Sequence, residues 1–178
     1  VLQLLDAAGT EIDQWTTDGT THRMDAILTA GAEYTLHEVS APDGYCIAAD
    51  QKFTINADGS LTSVKLTNLS TKVQISKTTI TGDTELEGAK LEVRDLSGNA
   101  LDSWTSGKEA HMITAKLTAG QTYVLHETAA PNGYVVSNDI EFTVNADGTV
   151  TKVIMKDDTT KVEISKKAEN GLPLSGAK

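Results

Sequence analysis

Residues 123–134 read YVLHETAAPNGY, which is typical of a strand that runs into a turn containing proline and glycine. Alternation along the strand places Tyr123, Leu125 and Glu127 on one face. Tyrosine and leucine favour the core for that face, whereas a glutamate in the core is unexpected. The position of Glu127 therefore needs an explanation beyond packing.

The same string occurs earlier in the chain. Residues 34–45 read YTLHEVSAPDGY, an offset of 89 positions. The same offset superposes Trp15 on Trp104 and the segment KVQISK at 72 on KVEISK at 161. A chain of 178 residues holds two such periods, and each is long enough for one small domain.

The ends of the chain are out of phase with this repeat. Residues 1–70 are predicted to form a first repeat that lacks its initial strand, and residues 71–158 a complete second repeat. Residues 159–178 are the first strand of a following repeat, which is either an orphan or donated to another molecule.

The pattern of each repeat predicts an all-β fold. Apolar and polar residues alternate in KVQISK, QTYVLHE and VTKVIMKD, and turn sequences such as SGN, APNGY and NADG separate the strands. No helical periodicity is evident. About seven short strands in about 90 residues are typical of an immunoglobulin-like sandwich, so we expect tandem immunoglobulin-like repeats.

Composition excludes several classes of function. The net charge of −10 argues against nucleic acid and anionic membranes as partners. No apolar run is long enough to span a membrane, and any export or anchoring signal is expected to lie outside this fragment. The single cysteine, Cys46, occupies the position of Val135 in the second repeat, which predicts a small buried side chain.

Three predicted strands end their apolar faces on an ionisable residue. Lys77 follows two inward positions of KVQISK, Asp157 follows those of VTKVIMKD, and Glu127 follows Tyr123 and Leu125. These three groups are predicted to meet at one end of the core. The corresponding residues of the first repeat are Glu38 and Asn68, and its missing lysine has an equivalent in the tail, Lys166.

Two interpretations of this convergence are open. The charged groups could turn outward to water or form a buried ion pair. An ion pair would not tolerate the replacement of Asp157 by Asn68, because the lysine would lose its countercharge. A condensation tolerates both, since an amine gives the same amide with a carboxyl or a carboxamide, releasing water or ammonia.

These segments resemble the B-type repeat domains of Gram-positive collagen adhesins and pilins, which are immunoglobulin-like (prealbumin-like) and form intramolecular isopeptide bonds. The resemblance rests on KVxISK, on a strand ending in Asp or Asn, and on YxLHExxAPxGY. It implies that Lys77 is the nucleophile, Asp157 the electrophile and Glu127 the catalytic acid. Glu38 and Asn68 would have the same roles in the first repeat, with Lys166 of the same or of another chain as the amine.

Burial explains how such a site would work. A low dielectric disfavours the charged forms of all three groups, a neutral amine is the required nucleophile, and a protonated glutamate can polarise the reacting carbonyl. The expected function is mechanical: a rigid spacer in a cell-wall-attached surface stalk or fibre, with neighbouring repeats or copies as head-to-tail partners and no metal or cofactor. In this role the protein would not be an enzyme with turnover, because each molecule would form its own bond only once.

The alternative function is a ligand-binding adhesin domain that recognises a host matrix protein or glycan, although no loop is long enough to suggest a site. His22 and His37, which recur as His111 and His126, could suggest a metal. The outward position of His37 and His126 favours solvent exposure instead. Trp15 and Trp104 are expected to belong to the core.

The tail admits two explanations. The strand at 161–166 either completes the first repeat of a neighbouring copy by strand donation, or belongs to a longer array of repeats. In the first case Val162 and Ile164 would enter the neighbour's core.

Overall fold

The computed structural model describes residues 1–176, so the last two residues of the predicted tail, 177–178, lie outside the described part. Eleven strands and no helix are present in residues 1–176. The strands are β1 (Leu2–Asp6), β2 (Glu11–Trp15), β3 (Glu33–Glu38), β4 (Gln51–Thr54), β5 (Lys72–Thr79), β6 (Lys90–Arg94), β7 (Ala100–Thr105), β8 (His111–Thr114), β9 (Thr122–Ala129), β10 (Ile140–Thr143) and β11 (Val150–Asp157). The predicted all-β class is confirmed.

The second repeat is a complete sandwich of the predicted seven strands. One sheet has the order β10-β9-β6-β7 and the other the order β11-β5-β8. Both sheets contribute to one buried cluster of thirteen apolar residues, to which β5, β9 and β11 bring alternate positions. The strict alternation in the sequence is the cause, because a pleated strand can bury only every second side chain.

The first and last strands of this domain are neighbours. Strands β5 and β11 pair in parallel, with Val73 opposite Thr151 and Lys77 opposite Met155. Strand β8 pairs with the other edge of β5. The first strand is therefore the centre of its sheet.

The first repeat contains only one of the two sheets. Its strands β2-β1-β3-β4 reproduce the order β7-β6-β9-β10, read from the opposite edge. Residues 22–25 and 61–68, which correspond to β8 and β11, form no strand. The central strand that would pair with both of them is missing from this repeat, so neither segment has a strand to pair with among residues 1–176.

The loss of one sheet leaves the core of the first repeat thin. Its buried apolar side chains are Leu4, Tyr34, Leu36 and Cys46, against thirteen in the second repeat. Residues 62–68 still alternate between half-buried and exposed positions. These residues therefore keep the inward and outward pattern of β11 although they are not paired in a sheet.

The tail forms no strand with the rest of the described chain. Val162 and Ile164 are 83% and 88% exposed, although the sequence gives them the pattern of core residues. The tail nevertheless makes a turn, in which the amide of Leu174 donates to the carbonyl of Lys166. In the second repeat the amide of Leu86, which follows β5, donates in the same way to the carbonyl of Lys77. The tail therefore repeats the turn that follows β5, and the apolar side chains of Val162 and Ile164 are exposed.

Candidate functional site

The three predicted residues of the second repeat meet inside the domain. Lys77, Glu127 and Asp157 are at most 1% exposed and lie on β5, β9 and β11. The Nζ atom of Lys77 is 3.1 Å from Oε1 of Glu127 and contacts Oδ1 of Asp157. The structure thus brings together, at the end of the core, the set that strand alternation predicted.

The charges of this cluster do not balance when all three groups are ionised. One ammonium and two carboxylates leave a net charge of −1 in a place that water does not reach. Within the described residues, Oε1 of Glu127 and Oδ2 of Asp157 have no hydrogen-bond partner. The cluster therefore holds two buried acceptor oxygens that its single amine does not satisfy.

Ser137 is a part of the site that strand alternation could not reveal. Its backbone amide donates to Oε2 of Glu127 at 2.7 Å, and its hydroxyl lies 2.6 Å from Oδ1 of Asp157. The residue stands in the segment between β9 and β10, where no periodicity applies. Its equivalent in the first repeat is Ala48, whose amide makes the same 2.7 Å bond to Glu38.

The first repeat holds two thirds of an equivalent site. Glu38 is 5% exposed, and its Oε2 accepts a 2.5 Å hydrogen bond from the side-chain amide of Asn68. The same nitrogen donates to the carbonyl of Cys46 at 3.0 Å. Lys166, the predicted amine, is exposed in the tail. The acid and the carboxamide are therefore in contact, and the amine is not with them.

The histidines take part in local pairs. His37 contacts Asp50 and His126 contacts Asp139, both at 2.7 Å, and these histidine side chains are only 38% and 28% exposed. In residues 1–176 no three His, Cys, Asp or Glu side chains are grouped as a metal site would require. The aspartate partners, 13 residues further along, were missed by the sequence analysis.

The other two histidines stack on the tryptophans. The rings of Trp104 and His111 are 4.1 Å apart at an angle of 12°, and those of Trp15 and His22 repeat the arrangement at 4.2 Å. Trp104 is partly buried against the main core. Its predicted core role is confirmed, and the stacking on histidine is an additional finding.

Asp102 secures the outer side of the Trp104 stack. Burial opposes ionisation of this carboxyl, but hydrogen bonds from Lys116 and His111 outweigh burial and hold the pKa of Asp102 below its ordinary value. The two bonds measure 2.8 and 2.9 Å. This pair of bonds stabilises the sheet edge in the charged state of Asp102 and has no connection with the Lys77 cluster.

The site is thus a buried lysine between two carboxyls, placed where the first and last strands of an immunoglobulin-like sandwich lie side by side. The family model "SpaA: Prealbumin-like fold domain" matches residues 1–70 and again 71–159. The chain therefore belongs to this family, and the resemblance to pilin and adhesin repeats is confirmed. No curated protein sequence matches the chain.

Several solved structures align with the chain. The Bacillus anthracis TIE protein aligns at 25% identity with a TM-score of 0.50, over 72% of this chain and 25% of that one. The shaft pilin spaA from Lactobacillus rhamnosus GG aligns at 18% identity with a TM-score of 0.43, over 91% of this chain and 71% of that one. A streptococcal ancillary pilin aligns at 23% identity with a TM-score of 0.42, over 89% of this chain and 56% of that one. The chain thus spans a quarter of the TIE protein and between half and three quarters of the two pilins.

No helix in residues 1–176 is long and apolar enough to cross a membrane.

Proposed function

We propose that the chain is a structural stalk or fibre module of a bacterial surface adhesin or pilin, and that its second repeat forms an isopeptide bond between Lys77 and Asp157. The observation that supports this proposal is the burial of Lys77 in contact with Asp157 and beside Glu127. The family to which the chain belongs agrees with the structural role. The protein would act at the cell surface, outside the cell.

The reaction needs no group from outside the cluster. The neutral amine of Lys77 attacks Cγ of Asp157, and the C–N bond forms. The C–O bond of the carboxyl then breaks, its oxygen leaves as water with a proton supplied through Glu127, and the amine gives up one proton in return. Amine and carboxylic acid become amide and water, and Glu127 ends as it began.

Ser137 holds the reacting carboxyl in place. Its hydroxyl, which has one proton to donate, is 2.6 Å from Oδ1 of Asp157 and 2.5 Å from the carbonyl of Lys156. The hydroxyl therefore ties the side chain of Asp157 to the backbone beside it.

The position of the bond suits a module under tension. Strands β5 and β11 are parallel neighbours at the entry and exit of the domain, so pulling on the chain would slide one along the other. A bond from Lys77 to Asp157 would carry the force directly from β5 to β11. The intervening residues 78–156 would then bear no load.

The intact mass of the folded protein tests the proposal. We expect a mass about 18 Da below that of the sequence, because the condensation releases one water. Proteolysis should yield a branched peptide that joins the segments of Lys77 and Asp157. A folded protein of full, unmodified mass would refute the cross-link while leaving the family membership intact.

We expect Ser137→Ala to slow formation of the bond about tenfold without preventing it. The substitution removes one hydrogen bond to the reacting carboxyl, which contributes about 1 to 1.5 kcal/mol, and it retains the amide that holds Glu127. Mass spectrometry of samples taken during cell-free synthesis would follow the reaction. The matched control is Ser103→Ala on β7, and equal rates for the two variants would assign the hydroxyl no part in the reaction.

A further inference from the structure

The turn that ends in APDGY in the first repeat packs directly on the second repeat. A Cβ atom on Gly44 would lie 2.4 Å from the carbonyl carbon of Ala115, a separation that no side chain can adopt. Ala115 itself has a φ of +53°, which is uncommon for a residue other than glycine. The repeats therefore contact each other directly through backbone atoms, at two residues with positive φ.

The residues around this contact belong to both repeats. Cys46 is 3% exposed, and its thiol is 3.9 Å from the carbonyl of Asn145. The hydroxyl of Thr118 donates to Asp43 at 3.1 Å. Thr71, at the boundary, is 1% exposed, and its hydroxyl lies 3.1 Å from the carbonyl of Gly44 in the first repeat and 2.7 Å from that of Leu117 in the second. Together these contacts form a closed joint between the two repeats.

The second repeat presents the same turn without a cover. The amide of Thr160 donates to the carbonyl of Gly133 at 2.8 Å, as that of Thr71 donates to Gly44 at 2.9 Å. Among residues 1–176, no atom beyond the adjacent residues would approach a Cβ on Gly133 within 4 Å. Val135, which occupies the position of the buried Cys46, is 51% exposed. This surface, residues 130–135 with Thr160, is called the Gly133 turn.

The first repeat presents the complementary surface. Ala26 has a φ of +61°, close to that of Ala115, and its side chain is exposed. Leu28 and Thr29 stand at the positions of Leu117 and Thr118. This surface, residues 26–29, is called the Ala26 segment.

We propose that the Gly133 turn of one chain docks on the Ala26 segment of a second copy and reproduces the joint between Gly44 and Ala115. The occupant is a second copy because the Ala26 segment repeats the surface on which the first turn already packs within the chain: Ala26, Leu28 and Thr29 correspond to Ala115, Leu117 and Thr118. Residues 161–166 directly follow Thr160, which is bonded to Gly133, so they would arrive together with the turn. The inference rests on the proposed role as a fibre module, and it adds the surfaces by which copies meet and a fixed orientation between them.

The joint predicts that substitutions at two adjacent valines differ in their effect on association. Val135 would be buried on docking like Cys46, whereas Val136 corresponds to Ile47, which is 56% exposed beside the closed joint. Both valines are half-exposed in the single chain, at 51% and 49%. Val135→Glu should therefore weaken association of copies at least about tenfold, because docking would bury an unpaired charge, and Val136→Glu should leave it nearly unchanged.

Sedimentation velocity over a concentration series measures this difference. The parent protein should carry Asn68→Ala, which prevents the proposed covalent bond between copies and leaves only docking. A parent that stays monomeric, or equal weakening by both glutamates, would overturn the inference. Neither result bears on the intact-mass test of the Lys77–Asp157 bond, so failure of the joint and failure of the cross-link are distinguishable.

Discussion

Folded protein with Glu127→Gln is expected to keep its full mass, and its second repeat should unfold about 20 °C below the cross-linked wild type. Glutamine has nearly the same shape as glutamate but cannot relay a proton, so Lys77 and Asp157 remain an ion pair. The substitution also removes one buried carboxyl from a cluster with excess negative charge. The variant should therefore fold and lack only the bond.

The size of the effect follows from the loop that the bond closes. Lys77 and Asp157 are 80 residues apart in sequence. For a cross-link of this span, the lost entropy of the unfolded chain corresponds to about 4 to 5 kcal/mol. One kcal/mol shifts the midpoint of a domain of this size by about 4 to 8 °C, so a shift of about 20 °C is a conservative expectation.

Calorimetry combined with intact mass measures both parts of this prediction. Fluorescence of Trp104 in a Trp15→Phe background assigns the transition to the second repeat, because Trp104 packs against its core. Glu38→Gln is the matched control, since Lys166, the predicted amine of the first repeat, lies exposed in the tail and away from Glu38 and Asn68. A Glu127→Gln protein that still loses about 18 Da would remove Glu127 from the proposed mechanism.

The inward positions of the site were predictable because a pleat has a fixed period of two. Once Tyr123 and Leu125 were assigned to the core, Glu127 had to share their face, and the same argument placed Lys77 and Asp157. The three strands could then be expected to end together. Their order within the sheets was not predicted, because alternation along one strand carries no information about its neighbours.

Neither the role of Ser137 nor the contact between the repeats could be predicted from the sequence, and the reasons differ. Ser137 acts from a connecting segment, where its direction depends on tertiary contacts alone. Gly44 and Gly133 lie in nearly identical turns, APDGY and APNGY, with φ values of +82° and +88°. One is covered and the other open only because a second repeat packs on the first turn, and local sequence cannot record that difference.

The state of the first repeat follows from the place of the missing strand in the sheet. Removal of an edge strand would leave the rest of a ladder intact. The missing strand corresponds to β5, which pairs with both β8 and β11, so its absence deprives two neighbours of partners. The sequence analysis predicted that the initial strand is missing, and the structure adds that a whole sheet depends on it.

The second large effect is expected when copies of the chain meet at high concentration: a ladder of covalent multimers that survives boiling in detergent. The donated strand 161–166 would complete the first repeat of another copy, with Val162 and Ile164 leaving water for its core. Lys166 would then approach Asn68 beside Glu38. A head-to-tail contact of this kind does not close on itself, so the products are open chains of increasing length.

The half-site is arranged for the loss of ammonia. Attack of the Lys166 amine on Cγ of Asn68 must expel the carboxamide nitrogen, which needs a proton as it leaves. That nitrogen is 2.5 Å from Oε2 of Glu38, so the predicted acid already contacts the leaving group. Each bond formed would release one ammonia, about 17 Da, and carry the force between copies as the Lys77–Asp157 bond would carry it within one.

Denaturing electrophoresis with three variants decides this prediction. Lys166→Ala and Asn68→Ala should each abolish the ladder, because one removes the amine and the other the electrophile. Lys167→Ala is the matched control, since the adjacent lysine would point to the opposite face of the donated strand and should leave the ladder intact. A single monomer band from protein that sedimentation shows to be assembled would exclude covalent linkage between copies. Loss of the ladder in Lys167→Ala as well would indicate that the tail acts by charge, because only a strand in register distinguishes neighbouring side chains.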